Sequence, residues 1–554
     1  MKIDIFYIIT GIWLAINAIL FTSTYVYYSN ASEYAYLRIF TGDGLSLARA
    51  SASCINFNSM LVLLPVCRNF LLLLSNIIGC GYAINYQVWK NLHYHRVIAG
   101  AIFFFSIIHV FAHCCNYQTF YSSHFSNDPL ISLLTNLPTY TNGSYVNPIT
   151  DTDHGTVYQM LKTVPGITGF LLLIILITIG TSSISLIRRS YYEVFWYTHH
   201  LFVVFYILLF IHGIQGIVRE QTNLVENNPA VCSGRPEDWA RQNICNIPQF
   251  TRTNPQTWKW ILLPVFLYAI ERCIRFWRGW ESVTIVKVIP HPASVIEIQL
   301  LKFNFSFSTG QYIYLHCPII SKLEWHPFTL TSAPSESYFS VHIRQAGDWT
   351  EKLVTKFTNA LLEDGLKRFP RLAVDGPYGS PCQRVFLYKK VVLIGAGIGV
   401  TPFASVLKSC LSRKADNCIE NIHFFWLCSK PQAFEWFANF LKELESKLIL
   451  ARQENLIQYH IYLTRGWNMN QVWEIFSHNR DDIDVVTGFK QKTNFGRPNW
   501  DQIFPQLATS FDGKKIGVFY CGPKNLAYVL SQKCKNHTKL GKDSTQFHFH
   551  KENF

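Results

Sequence analysis

His95 and His109 stand fourteen residues apart in one apolar stretch, and His199 and His212 stand thirteen apart in another. On a helix rising about 1.5 Å per residue, each pair spans roughly 20 Å, which fits inside a bilayer core of about 30 Å. Neutral imidazole binds haem iron, and an ionisable group inside a membrane is costly enough to be read as functional. Two helices carrying histidines at two matched depths can clamp two haems, one above the other, and so conduct electrons across a membrane. A lone histidine in apolar surroundings is better explained as a hydrogen-bonded polar spot. Four at matched depths reverse that preference. His93, His113 and His200 have no such pairing and are not read as haem ligands.

Six spans position these residues. The clean ones are 5–28, 97–117, 164–186 and 195–218. The second, around 45–78, is interrupted by Arg49 and Arg68. The sixth, 258–277, carries Lys259 and runs into Glu271, Arg272, Arg275 and Arg278. That cluster, with Arg188 and Arg189 between spans four and five, marks the cytosolic side and puts both termini there. The stretch 118–163 has almost no basic residues and contains the glycosylation acceptor Asn142-Gly143-Ser144; Asn30-Ala31-Ser32 is a second, and both fall outside. Cys232 and Cys245 share the third outer loop, where an oxidising exterior favours their pairing. Spans three and five run the same way, so His95 and His199 share the cytosolic depth and His109 and His212 the outer one. One mismatch remains. At about 100° per residue, fourteen steps return within roughly 40° of the starting face and thirteen miss it by roughly 140°. The fifth span must bend, or the haems must be offset sideways.

The bulk numbers fit a membrane half joined to a soluble half. At 554 residues the chain exceeds a single core, and it is 49% hydrophobic with only 15% charged residues, crowded towards the C-terminal half. The net charge of +14 comes without a dense Lys/Arg tract or a nucleic-acid module. It is read as a basic cytosolic face on anionic membrane lipid, handling an anionic cofactor, with no nucleic-acid partner. Fifteen cysteines lack paired C-x-x-C spacing, so no zinc or iron–sulfur site is expected. The first apolar run is too long for a signal-peptide core and is taken as a retained span.

After Gly279 short β-rich runs appear. Residues 283–288, 295–300 and 312–316 read as strands of a small barrel. Beyond about 391, strand-like runs such as 391–394 and 422–427 alternate with helical stretches, the pattern of an α/β domain. Strand 391–394 leads into Gly395-Ala396-Gly397-Ile398-Gly399-Val400-Thr401-Pro402, a turn that lets backbone approach a pyrophosphate at a helix start. Its G-x-G-x-G spacing is not the G-x-G-x-x-G fingerprint, and alone it is a weak signal. Other signatures stand in order around it: His326-Pro327-Phe328-Thr329, His342-Ile343-Arg344, Gly347-Asp348-Trp349-Thr350, Asp375-Gly376-Pro377-Tyr378-Gly379 and Cys521-Gly522-Pro523.

HPFTLTS (326–332), GAGIGVTP (395–402) and CGP (521–523) are similar to the ferredoxin-reductase type of flavoprotein, a flavin barrel followed by a nicotinamide domain. With the histidine pairs, the chain resembles the NADPH oxidase family from Leu45 to Phe554. ARASASCINFNSMLVLLPVCRN, RRSYYEVFWYTHHLF, KLEWHPFTLTSAP, GFKQKTNFGRPNWD and the final KENF look like its phagocyte-type catalytic subunits, the cytochrome b-558 heavy chains, and their close paralogues. The resemblance implies an α-helical six-span membrane domain with two haem b groups (1–279), an FAD-binding β-barrel (280–385) and an NADPH-binding α/β domain (386–554). Electrons would pass from cytosolic NADPH through FAD and the haems to molecular oxygen outside, producing superoxide at the plasma membrane or a phagosome-like membrane.

The same resemblance implies roles for residues. His95, His109, His199 and His212 would hold the haem irons. His326, Pro327, Phe328 and Thr329 would line the flavin ring, and Arg344 with the Trp349-Thr350 turn would meet its pyrophosphate. Gly395, Gly397, Gly399 and Thr401 would face the nicotinamide dinucleotide, with Cys521 and Gly522 beside its reacting carbon and Phe554 stacked on the flavin until displaced. Arg497 would recognise the extra phosphate of NADPH. Where similar chains carry an arginine after Trp-Leu-Cys, this one has Ser429 and Lys430, and Lys430 stands in as a point charge. A loop that is strongly basic in the phagocyte type reads Tyr86-Gln87-Val88-Trp89-Lys90 here. Arg49 and His113 would sit beside the outer haem, where oxygen is reduced. A small membrane-spanning partner protein, cytosolic organiser and activator proteins and a small GTPase are implied partners. The rival readings are a ferric-chelate reductase of the same superfamily and a non-catalytic haem-binding channel or scaffold.

Overall fold

The computed structural model describes residues 5–78, 91–137, 145–150, 152–239, 245–362, 369–412, 419–429, 432–450, 452–465, 484, 491–511, 514–538 and 544–552. The chain forms two compact units, Met1–Arg272 and Cys273–Phe554.

The first unit is helical. Its long elements are α1 (Ile5–Asn30), α2 (Asp43–Val62), α3 (Asn91–Ser122), α4 (Val164–Ser182), α5 (Tyr192–His199), α6 (Phe202–Ile214) and α7 (Thr257–Trp280), whose last turns, from Cys273 on, belong to the second unit. Among the described residues, five stretches are long and apolar enough to cross a membrane: Phe6–Asn30, Asp43–Val66, Asn91–Phe125, Val164–Ser182 and Tyr192–Ile214. The sixth expected span is the helix α7, set apart from the five by Lys259, Glu271 and its arginines. Large apolar side chains point outwards; Phe111 is 68% exposed and Leu262 59%. In water such a surface would be a liability, whereas lipid is as apolar as the side chains themselves.

Two expected spans are broken, each for a local reason. The second does not run unbroken from 45 to 78. Pro65 sits in a single 3₁₀ turn after α2, and a separate helix starts at Arg68. The buried carboxylate of Glu271 accepts from Asn69 N (3.1 Å) and Asn69 Nδ2 (2.8 Å), capping that new start. The fifth span is divided at His200 and Leu201 into α5 and α6, which answers the angular mismatch between His199 and His212.

Polar loops add a small folded cap to this unit. A two-stranded ribbon, β1 (Arg219–Gln221) with β2 (Phe250–Arg252), flanks the disulfide Cys232–Cys245, whose Cα atoms lie 5.8 Å apart. Trp239 Nε1 donates to Cys232 O (3.1 Å), and Tyr36 OH donates to Asn227 Oδ1 (2.6 Å) within the same buried cluster. The expected pairing of these cysteines is therefore present. Asn30 is exposed at the end of α1, whereas Asn142–Ser144 and 86–90 lie outside the described residues.

The second unit begins with six antiparallel strands in two sheets. β3 (Val283–His291), β4 (Val295–Lys302) and β7 (Phe339–Arg344) form one, in the order β3-β4-β7; β6 (His326–Thr329), β5 (Tyr312–His316) and β8 (Ala373–Tyr378) form the other. Leu330 bridges to Val341 between them, and Ile298, Ile313, Leu315, Val341 and Phe357 fill the core. Helix α8 (Asp348–Leu362) seals it with Trp349, Leu353 and Phe357. Arg275 Nε (3.0 Å) and Arg278 Nη1 (2.9 Å) both bond the fully buried carboxylate of Asp375, so part of the basic cluster after the sixth helix serves the barrel.

A six-stranded parallel sheet follows, ordered β12-β11-β10-β9-β13-β14. Its strands are β9 (Lys390–Ala396), β10 (Asn421–Cys428), β11 (Ile457–Leu463), β12 (Asn494–Phe495), β13 (Lys515–Cys521) and β14 (Gln546–Lys551). Fully buried Val391, Leu393, Phe424 and Val518 explain the continuous apolar runs, since both faces are covered. The strand order reverses beside β9. The crevice at the ends of β9 and β13 is where such sheets bind ligands.

Candidate functional site

In the helical unit the rings of His95 and His199 lie 6.0 Å apart between centroids, and those of His109 and His212 lie 6.2 Å apart. An iron between two imidazoles, with metal–nitrogen bonds of about 2 Å and about 1.1 Å from each nitrogen to its ring centre, sets the rings roughly 6.2 Å apart.

The hydrogen bonds behind each ring fix which nitrogen faces inward. His95 Nδ1 donates to Val62 O (2.9 Å) and His109 Nδ1 to Ala48 O (3.0 Å). Behind the other two rings stand hydroxyls whose own protons are already given away. Thr168 Oγ1 donates to Val164 O (2.6 Å) and lies 3.0 Å from His212 Nδ1. Ser183 Oγ donates to Ile179 O (2.6 Å) and lies 3.4 Å from His199 Nδ1. With its proton placed there, each hydroxyl accepts from Nδ1–H, and behind His212 the Pro165 carbonyl is a second acceptor. All four neutral imidazoles keep their proton on Nδ1 and turn the Nε2 lone pair inward, the arrangement of an oriented metal ligand. Gly169 makes room for one of them, since a methyl there would come within 3.2 Å of His212 Cε1. The donor set fits haem iron.

Between His109, His212 and the apolar walls of Phe170, Leu176 and Phe205 lies a cavity of about 400 Å³. Arg49 and His113 line it too. The Arg49 guanidinium rests over the Tyr28 ring at 5.0 Å, with its Nε buried and unpartnered. His113 Nδ1 is buried without a partner as well, and its ring meets that of His109 at 4.6 Å. A histidine held on a backbone carbonyl therefore does not describe His113. That description does suit His200, whose Nδ1 donates to Trp196 O (2.6 Å).

In the second unit His326 stacks on Trp349 (4.3 Å, 27°) and places Nε2 at 3.1 Å from Glu324 Oε2. Phe328 lies 6.0 Å from the same indole, and Thr329 is buried at the end of β6. The Thr350 hydroxyl accepts from Ala346 N (2.9 Å) and Gly347 N (3.0 Å), which shapes the exposed turn.

The glycine turn meets the end of β13. Gly395 pairs with Cys521 in register, and a methyl on Gly399 would lie 2.5 Å from Cys521 O. Gly397 takes φ +59, and a methyl there would lie 3.8 Å from Arg344 Nη1, so the guanidinium of β7 reaches this turn. Gly522 is closed in by Ala396 and Tyr520, and Thr401 opens the helix Thr401–Ser412. Burial pushes the Cys521 thiol up, keeping it uncharged at neutral pH. Arg497 is exposed just past β12. Lys430 and Phe554 lie outside the described residues.

Sequence reasoning missed Glu552. Its carboxylate is buried, with Cys382 N donating to Oε1 (2.7 Å) and Ser380 Oγ at 2.9 Å from the same oxygen. Burial raises it to about 7 against those hydrogen bonds. Only its place in the final KENF hinted at a role.

Paired transmembrane histidines joined to an antiparallel barrel and a parallel nucleotide-type sheet define a membrane haem reductase fused to a flavin and nicotinamide reductase. Residues 52–210 match the family model described as ferric reductase like transmembrane component, 280–382 the FAD-binding domain, and 388–535 the ferric reductase NAD binding domain. NADPH oxidase 3 of Rattus norvegicus is 43% identical over 557 residues, covering 99% of this chain and 98% of that one. NADPH oxidase 1 of Mus musculus is 42% identical, covering 98% and 92%. One superoxide-generating NADPH oxidase heavy chain of Dictyostelium discoideum is 35% identical, covering 97% and 94%. The chain belongs to the NADPH oxidase family, and it is a membrane protein that binds FAD, haem and NADPH.

Proposed function

We propose that this chain is a transmembrane oxidase that takes electrons from cytosolic NADPH and delivers them to molecular oxygen across the membrane, releasing superoxide. The observation that carries this reading is the pair of facing histidine couples, each imidazole with its Nε2 lone pair turned inward. The names of its relatives support it. The working parts are a haem domain over 1–279, an FAD barrel over 280–385 and an NADPH domain over 386–554.

FAD and two b-type haems, when bound, supply the conversion of paired to single electrons and their passage across the membrane. The chain's residues hold and orient. His95 with His199 and His109 with His212 bind the two irons. His326, Pro327, Phe328 and Thr329 line the flavin ring, with Arg344, Trp349 and Thr350 at its pyrophosphate. Gly395, Gly397, Gly399 and Thr401 admit the dinucleotide backbone; Cys521 and Gly522 wall the nicotinamide, and Phe554 covers the flavin. Arg497, helped by Lys430, binds the extra phosphate. Both termini face the cytosol, in a plasma membrane or phagosome-like membrane. A small membrane-spanning partner, cytosolic organiser and activator proteins and a small GTPase complete the assembly. Superoxide yield measured against ferric-chelate reduction in purified vesicles tests the acceptor, and preferred reduction of ferric chelate overturns oxygen.

Arg49 and His113 supply a fixed positive charge and a hydrogen-bond donor where the superoxide anion forms. Arg49→Ala and His113→Ala should keep both haems and their reduction by NADPH, yet slow reoxidation of the outer haem by oxygen roughly hundred- to thousandfold. Rapid-mixing spectroscopy reads this. Wild-type reoxidation in both variants places the oxygen site elsewhere.

Nucleotide choice gives a second expectation. Arg497→Ala should raise the KM for NADPH by about tenfold or more, the worth of a charge-assisted hydrogen bond, and leave that for NADH within about twofold. Lys430→Ala should do the same more weakly. Equal losses with both nucleotides would point to a folding defect.

A further inference from the structure

Three strands of the barrel bring two histidines and a carboxylate to one point. Glu297 on β4 and His342 on β7 are direct cross-strand partners. On the other side Glu297 faces Ile289 of β3, two residues before His291. Side chains alternate along a strand with period two, so His291, Glu297 and His342 emerge on one face.

Their nitrogens converge on a single oxygen. His291 Nε2 lies 3.4 Å, and His342 Nε2 3.6 Å, from Glu297 Oε2. The three ligand atoms all fall within 4.8 Å of one another, and the two rings stack at 5.4 Å. A shared proton would draw nitrogen and oxygen to about 2.8 Å. Ligands about 2.0–2.2 Å from a tetrahedral zinc stand roughly 3.4 Å apart instead.

Neighbouring groups orient the cluster. Thr331 Oγ1 donates to Ser340 O (3.1 Å) and lies 2.9 Å from His342 Nδ1. The same hydroxyl lies 2.8 Å from Ser340 Oγ, so the contact holds the His342 ring in place; with its Nδ1 proton on Thr331, the Nε2 lone pair faces a carboxylate oxygen. Gln299 Nε2 donates to Glu297 Oε1 (3.0 Å), holding the carboxylate in place. Lys408, whose charge also reaches Glu297, is held by Glu336 at 3.3 Å.

We propose that His291 Nε2, His342 Nε2 and Glu297 Oε2 bind one first-row divalent cation of the zinc class, with water completing its shell, and so tie β3, β4 and β7 together. The cysteine spacing gave no sign of such a site, because none of its ligands is a cysteine.

The test uses the full chain, loaded with haem and FAD, in lipid nanodiscs. After chelator treatment, titration with Co²⁺ should develop the visible bands of tetrahedral cobalt at one equivalent per chain, and Zn²⁺ should bleach them. Glu297→Gln and His291→Gln should abolish the bands, and Thr331→Val should weaken binding roughly tenfold. Absence of the bands in the unaltered chain, or their persistence in both ligand variants, overturns the proposal. If the ligand variants lose their FAD, X-ray absorption of the zinc-loaded unaltered chain decides. Two imidazole nitrogens in the shell support the site, and an oxygen-only shell sinks it.

Discussion

His109→Ala and His212→Ala should each yield a protein with one haem in place of two, no measurable superoxide, and unchanged reduction of FAD by NADPH. Each ring supplies one side of a 6.2 Å couple across the cavity at Arg49 and His113. Its removal leaves the outer iron with one ligand of the couple; Phe170, Leu176 and Phe205 offer no replacement, and His113, the other imidazole lining the cavity, lies beside His109 at 4.6 Å. The flavin belongs to the other unit, so its reduction does not depend on this couple. Thr168→Val is the informative companion. It removes the hydroxyl behind His212 while the Pro165 carbonyl stays, and should keep both haems while shifting the outer one's reduction potential. Haem content by absorbance, with anaerobic flavin bleaching, reads these outcomes. Two full haem equivalents in both alanine variants would remove the assignment.

Gly399→Ala should cut NADPH-dependent flavin reduction roughly hundredfold, the scale of a misplacement of about 1 Å. The new methyl would sit 2.5 Å from Cys521 O and 2.9 Å from Cys521 C. Both are backbone atoms of a strand paired on both sides, with β9 and with β14, so the sheet cannot yield cheaply. The turn must move, and with it whatever rests on it. FAD content and flavin reduction by dithionite should stay normal, because the barrel is untouched. Gly100→Ala meets nothing within 4 Å and serves as the control. Unimpaired hydride-dependent bleaching in Gly399→Ala would mean that the nucleotide binds away from this turn.

The elements of the soluble half were readable because burial there is extreme. Runs such as 391–394 and 422–427 extend only by a residue or two at each end into β9 and β10. The histidine couples were readable for the opposite reason: polar groups stand out in apolar sequence. What the sequence hid is long-range. The break at His200 and Leu201 carries no proline or glycine, and only the angular mismatch betrayed it. Pro65 marks the break after α2, but the apolar residues beyond it masked the new helix. Thr168 lies 44 residues from His212, and Glu552 lies 170 from Cys382, so neither pairing leaves a local pattern. The cluster at His291 depends on strand register, which no single strand records.

The bonds behind the four histidines differ in what they are made of. Val62 and Ala48 offer main-chain oxygens, whereas Ser183 and Thr168 offer hydroxyls. A codon change at 48 or 62 swaps a side chain and leaves the acceptor standing. One at 183 can delete it, and one at 168 leaves only the Pro165 carbonyl behind His212. Holding Nδ1–H makes an imidazole the more basic ligand, so each haem would have one ligand held only by main chain and one whose support a single mutation can weaken. Evolution could retune either potential through the α4 side, a hydroxyl at a time, while the α2 side keeps the couple assembled.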